Sequence, residues 1–336
     1  MQIRQQFHIA SVAKMMTATR VLQLAERGML GPAGIDARLA EFSVLPPDMA
    51  SRLNQYGGNR RGTEVTVRQL LTHTAGLRDG IVDDAQQCGG PAPDSLIGRI
   101  LASPARAGHC WQPWNPDRPD DPAAGVINFF FATGIASASL SAPGESFHYS
   151  DTGYLLLALL VEVVSGQRLH EGLRESVLIP ARMEDTYLAY REDPTLGPLR
   201  QPEAEVYLGD MPVLASGASL SFDWGGGGLV STLEDLARFF AALRQGRLFQ
   251  DPSTLVAMTD WITPRGLKAP RIGVGLGLFR LRWNELECWG HAGAWGARVE
   301  YFPKHDLLFV GTTNQARTPS DWHLPFVRAS ISDEQT

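Results

Sequence analysis

Eleven consecutive residues, Tyr154 to Val164, read YLLLALLVEVV. A helix that is apolar on all sides has to be enclosed by the rest of the chain. The run is too short to cross a bilayer and carries Glu162. We therefore expect a buried helix from Asp151 to Ser165, closed by Gly166.

Other segments show the helical period. Met15, Met16, Thr19, Leu22 and Leu24 recur on one face, which predicts a helix over Val12 to Arg27 ended by Gly28. Short helices are expected at Val67 to Leu71, Ser95 to Leu101 and Val126 to Ser137. Thr232 to Leu243 is amphipathic, with Ser231 or Thr232 as its cap. The last third alternates and is rich in β-formers. Strands are expected over Gly275 to Trp283, Cys288 to Trp295, Ala297 to Phe302 and Leu307 to Thr312, with "PKHD" as a hairpin turn. The fold class is α+β: a helical part over about 11–265, and an antiparallel sheet over about 266–336 joined by the N-terminal residues, in one unit of 336 residues.

With 44% hydrophobic and 20% charged residues, the composition is that of an ordinary globular chain. The net charge of −6 offers no attraction to nucleic acid or to an anionic membrane. The three cysteines are Cys88, Cys110 and Cys288. They form no disulfide framework or zinc-spaced cluster, although Cys88 and Cys110 flank one loop and could pair. No signal peptide is legible at the start. As written the chain is expected in the cytoplasm; with a lost upstream segment it would be periplasmic or secreted.

Ser11-Val12-Ala13-Lys14 stands at the start of the first expected helix. Residues i and i+3 share a helix face. Free amides and the dipole at a helix start favour a developing negative charge. A serine hydroxyl needs a base, and a lysine serves as one only when burial or a neighbouring cation lowers its pKa. A capping serine beside a solvated lysine is the alternative, but Met15 and Met16 make this an unusual free surface. Two further stretches stand out. In "APGESFHYSDTGY", Tyr149 precedes the buried helix and Asp151 can cap it; a tyrosine beside a lysine cation ionises more easily. In "WGHAGAW", small residues allow a substrate's close approach and His291 would point from the strand. "THTAG" around His73 and "WGGGG" from Trp224 read as turns. Trp111, Trp114, Trp224 and Trp295 are candidates to line a pocket or simply core.

In this order, Ser11-x-x-Lys14, Tyr149-Ser150-Asp151 and His291-Ala292-Gly293 resemble the three motifs of the serine β-lactamase and penicillin-recognising enzymes. The class C-like branch, with family VIII carboxylesterases and D-aminopeptidases, is the most similar. "RQLLTHTAGL", "GGLVSTLEDLARF" and "GTTNQ" extend the resemblance over nearly the whole chain. It implies a β-lactamase/transpeptidase-like fold and no metal or cofactor. It also implies that Ser11 is the acylated nucleophile, and that Lys14 and Tyr149 move its proton. The amides of Ser11 and Ala294 would form the oxyanion hole. Asp151, His291, Gly293 and Trp295 would meet the substrate.

Asp151 replaces a usual asparagine, and an ionised aspartate cannot donate to an amide carbonyl. His291 replaces a lysine that would hold a carboxylate. Both tilt the reading toward a carboxylesterase on small or aromatic esters. The alternatives are an amide hydrolase (D-aminopeptidase, DD-peptidase or weak β-lactamase) and an inactive binding or scaffold relative. Only ten residues precede Ser11, where such enzymes usually carry several dozen. The sheet is therefore expected to lack N-terminal strands and to expose an edge that a second copy of the chain could cover.

Overall fold

The computed structural model describes residues 3–87, 92–102, 110–194 and 203–333. Cys88 lies outside the described residues, and with it the question of its pairing with Cys110.

Helix Asp151–Ser165 is the axis of the helical part. Its residues from Thr152 to Val161 are all buried, and it closes on Gly166 in the left-handed conformation. Helices Lys14–Glu26, Val67–Leu71 and Trp224–Gly227 surround it. The last of these lies so close that a Cβ at Gly225 would stand 2.2 Å from the Ala158 Cβ. A glycine-rich run is what permits that approach.

Five strands form an antiparallel meander: Arg271–Val274, Phe279–Trp283, Leu286–Ala292, Arg298–Phe302 and Leu307–Gly311. Chain order is sheet order, and Gly290 pairs with Glu300 across the third and fourth strands. Phe279, Leu281 and Trp283 point inward while Arg280 and Arg282 face out, the period-two pattern of a strand buried on one side. The inward side chains pack with Leu324 and Val327 of helix Leu324–Asp333. On the other face, Phe240 of helix Leu233–Arg244 meets Trp289 and Tyr301 at ring distances of 4.8 and 6.3 Å. Thr232 caps that helix by accepting from the Asp235 amide.

The observed architecture is the expected mixed helical and antiparallel one, with differences in detail. Strand Arg271–Val274 and helix Leu324–Asp333 were not legible, the strand because Gly and Pro flank so short a run. The expected helix from Val126 to Ser137 stops at Ala132, and after Gly134 at φ +79° a 3-10 turn continues from Ile135 to Ala138. The second strand begins at Phe279 rather than Gly275.

A second, three-stranded sheet positions the N-terminus. Phe7–His8 pairs with Leu229–Ser231, which pairs with Tyr187–Leu188. No single helix among the described residues is long and apolar enough to cross a membrane.

Gly225→Ala should force the two helices apart or strain their backbones. Overpacking of this kind costs about 1–3 kcal/mol, and a urea unfolding curve would read it as a lower midpoint at unchanged slope.

Candidate active site

Ser11 is presented by the small sheet. His8 pairs with Val230, and the Ile9 amide donates to Leu229 O at 3.1 Å. Ala10 then turns into the left-handed region at φ +45°, a strained conformation for a residue with a Cβ. A 3-10 turn, Ala10–Ala13, carries Ser11 and runs into helix Lys14–Glu26. Ser11 thus sits one turn ahead of the helix rather than inside it. Its neighbours Ala10, Val12 and Ala13 are buried while Ser11 is partly exposed.

Lys14 is wholly buried. An ammonium has three donors, and all three are used. They go to Ser11 Oγ at 3.1 Å, to Gly226 O at 2.6 Å and to Asp151 Oδ1 in an ion pair. Burial pulls the Lys14 pKa down, but Asp151, Tyr149 and Asp223 together outweigh it and hold it above the usual lysine range. This corrects the expectation of a lowered lysine. Asp151 likewise does not cap its helix: Ser150 occupies the N-cap position, no side chain caps there, and the Asp151 carboxylate turns to Lys14.

Tyr149 lies beside them, its ring 5.1 Å from Lys14 Nζ. Burial pushes the phenol well above its ordinary pKa, and Lys14 only partly offsets this. The tyrosine therefore holds its proton, contrary to the expected easy ionisation. Its hydroxyl is enclosed and lies against Ser11 and Lys14. His73 stacks on the ring at 4.4 Å and 25°, and its Nδ1 accepts from the Ser150 amide at 3.2 Å. Burial and Lys14 keep His73 neutral, far below the ordinary histidine pKa. The His73 turn thus orients Tyr149, a role its sequence did not show.

His291 is buried at the edge of the same space. Its Nδ1 lies 2.8 Å from Ala292 O. A carbonyl can only accept, so the ring proton sits on Nδ1 and the lone pair on Nε2. Nε2 is buried and without a partner. Burial, then Lys14, lowers the His291 pKa to about 3. The ring is a neutral acceptor and offers no charge to a carboxylate. At Gly293 a Cβ would lie 2.3 Å from Ile9 O, so only glycine lets this strand end cross the Ser11 turn. Ala294 follows. Among the described residues neither the Ser11 nor the Ala294 amide has an acceptor in the chain.

Ser11 and Ala294 sit between two cavities, and both residues line each. One, of about 360 Å³, adds Tyr149, His291, Arg271 and Phe279. There the Arg271 guanidinium lies 4.7 Å from the Phe279 ring and 5.9 Å from the Tyr149 ring. The other, of about 390 Å³, is largely apolar and includes Trp295, Phe222, Asp151 and Asp223. Trp111 and Trp224 are core; of the four tryptophans named as pocket candidates, Trp295 lines a cavity. Sequence reasoning missed Asp223 and the Gly226 carbonyl. The signal available was "FDWGGGG", whose glycines allow close approach to a charged centre.

A family model described as Beta-lactamase matches residues 1–330. The chain belongs to the beta-lactamase family. Penicillin-binding protein 4* of Bacillus subtilis (strain 168) is 27% identical over 181 residues, 54% of this chain and 30% of that protein. Penicillin-binding protein 4 of Amycolatopsis lactamdurans is 27% identical over 178 residues, 52% of this chain and 34% of that protein. The matches span about a third of the length of these relatives. D-amino acid amidase from Ochrobactrum anthropi SV3, complexed with L-phenylalanine amide, superposes with a TM-score of 0.74 at 22% identity, over 100% of this chain and 86% of that one. D-stereospecific amidohydrolase from Streptomyces sp. gives 0.71 at 23%, over 93% and 83%. At these identities the likeness is one of fold.

Within this beta-lactamase family member, Asp151→Ala would leave the Lys14 ammonium buried without its main partner. Breaking a buried ion pair from one side costs about 3–5 kcal/mol. Urea unfolding should show that loss, with Ser11→Ala changing stability by less than about 1 kcal/mol. His291 should stay neutral, protonated on Nδ1, from about pH 5 to pH 8. Imidazole nitrogen shifts by NMR check this; titration of His291 near its ordinary pKa would contradict the site geometry.

Proposed function

We propose that the protein is a serine hydrolase that forms an acyl-enzyme on Ser11, acting as a carboxylesterase on small or aromatic esters. One observation carries the reading. Ser11 Oγ accepts from the buried Lys14 at 3.1 Å, between two cavities, with the unengaged amides of Ser11 and Ala294 beside it.

The charges set the order of proton transfer. Lys14 rests as an ammonium and Asp151 as its carboxylate. As Ser11 attacks the ester carbonyl, its proton passes to Lys14 while Lys14 gives one to Asp151. The net movement is from Ser11 to Asp151, within one hydrogen-bonded unit. The two amides receive the oxyanion, a contribution that falls by about 10²–10³ in rate when one donor is lost. Tyr149 retains its proton and its hydroxyl lies against Ser11, so it is placed to protonate the departing oxygen. Water then attacks the acyl-enzyme and the same groups run in reverse.

Preference for esters over β-lactams rests on Asp151 and His291. Asp151 is engaged by Lys14 and has no N–H to donate to an amide carbonyl. His291 is neutral and gives no cation for a carboxylate. Hydrolysis of amides is the second reading. Two fold neighbours are named as amidases or amidohydrolases, and a protonated tyrosine suits an amine leaving group.

Ser11→Ala should abolish labelling by a fluorophosphonate and lower p-nitrophenyl butyrate turnover by at least about a thousandfold. Mass spectrometry of the labelled peptide checks the site. Labelling at a different serine would overturn the assignment. Faster cleavage of nitrocefin than of p-nitrophenyl butyrate would favour the amide reading, and no labelling at all an inactive relative.

A further inference from the structure

The largely apolar cavity beside Ser11 contains one carboxylate, Asp223, to which Lys14 donates no hydrogen bond. Asp223 lines it together with Ser11 and Asp151. Asp223 stands at the N-cap position of the short turn Trp224–Gly227, yet its side chain caps no amide. Its Oδ1 is enclosed and without a hydrogen-bond partner. It forms no ion pair among the described residues, since Lys14 spends its donors on Ser11, Asp151 and Gly226 O. The Asp223 carboxylate is also close to the surrounding backbone: a Cβ at Gly227 would lie 2.1 Å from Oδ2. The glycine run therefore makes the room in which this carboxylate sits.

The charge count around Ser11 is simple. Lys14 contributes one positive charge, and Asp151 and Asp223 one negative charge each when ionised. Lys14 is hydrogen-bonded to Asp151 and reaches Asp223 only through its field, so one negative charge is left over when both carboxylates are ionised. Other polar groups in the cavity do not answer it. His8 is engaged with Glu203 at 3.1 Å, and Arg317 is exposed to solvent. Burial, then the neighbouring Asp151, raises the Asp223 pKa to about 7, and Lys14 only partly offsets this. Beyond the carboxylate the walls turn apolar, with Ile81, Val213, Leu220, Phe222 and Trp295. Most of a ligand cavity's lining is apolar in this way, and a few polar groups set orientation.

The geometry points to Asp223 as the subsite for a protonated amine borne by the acyl group of the substrate, next to the carbonyl that Ser11 attacks, with an apolar side chain filling the cavity beyond it. The inference rests on the serine hydrolase reading for its placement of the scissile carbonyl. It narrows the substrates to aminoacyl esters or amides with an apolar side chain. An ammonium there supplies both the charge and the hydrogen-bond donors that Asp223 lacks.

Binding can be tested without turnover. In the Ser11→Ala protein, phenylalaninamide and 3-phenylpropanamide differ only by the amine. Isothermal titration should show phenylalaninamide, as one or both enantiomers, binding about 10- to 100-fold more tightly, the range of a hydrogen bond between charged groups. Asp223→Asn in that background should remove the preference and leave 3-phenylpropanamide affinity unchanged. N-acetylphenylalaninamide carries no charge and should lose the advantage on the unaltered Asp223 site, so the inference stands or falls even where Asp223→Asn does not fold. Equal affinity for the two amides, or a preference that survives Asp223→Asn or N-acetylation, would overturn it. With Ser11 intact, cleavage of methyl 3-phenylpropanoate as fast as phenylalanine methyl ester would sink the amine subsite and leave the hydrolase reading standing. Amine-selective binding without cleavage of either ester would do the reverse.

Discussion

The site is organised around one buried ammonium. Lys14 begins helix Lys14–Glu26 and Asp151 begins helix Asp151–Ser165. A cation at a helix start opposes the helix dipole, while a carboxylate there is favoured. Burying either charge alone costs several kcal/mol. The arrangement is tolerable because each ammonium proton has an acceptor, and because Asp151 brings the opposite charge to the same point. Two helix starts then converge beside Ser11, where a negative charge would develop in the proposed chemistry.

Much of the surrounding structure serves that meeting. The Leu229–Ser231 strand holds the N-terminal segment so that Ser11 faces Lys14. The glycine-rich turn at 224–227 delivers the Gly226 carbonyl to Lys14 and the Gly225 carbonyl to Thr17 at 2.8 Å. Just past the third strand of the large sheet, Gly293 crosses Ile9 and brings Ala294 to the cavity that Ser11 lines. His73, itself at φ +55°, stacks beneath Tyr149. Segments far apart in the chain thus fix one small volume, and they use backbone features as much as side chains.

Polarity within that volume is uneven. The side with His291 and Arg271 holds a neutral acceptor and a cation stacked on aromatic rings. The side with Asp223 is largely apolar, with Asp151 and Asp223 among its few polar groups. A substrate spanning Ser11 would meet different chemistry on its two halves, and such asymmetry is a physical basis for selectivity.

Periodicity and local motifs were enough for the buried helix 151–165, the late antiparallel strands and the grouping of Ser11, Lys14, Tyr149, Asp151 and His291, because burial pattern and i, i+3 spacing are local properties. The ionisation of those groups was not legible. Lys14 was expected to be lowered and Tyr149 to ionise readily, whereas both are shifted upward. For Lys14 the cause is chiefly Asp151, 137 residues away in the chain, which overcomes burial; for Tyr149 it is burial of the phenol in the folded site. Asp223 escaped notice for the same reason: an aspartate before four glycines and a tryptophan reads as a turn until its lack of a partner is seen in three dimensions. The sequence by itself determined which side chains could do chemistry and which segments would hold them. Only the tertiary structure decided their charge states, their spare hydrogen bonds and the cavities they face, because those depend on distance and desolvation, which no stretch of sequence contains.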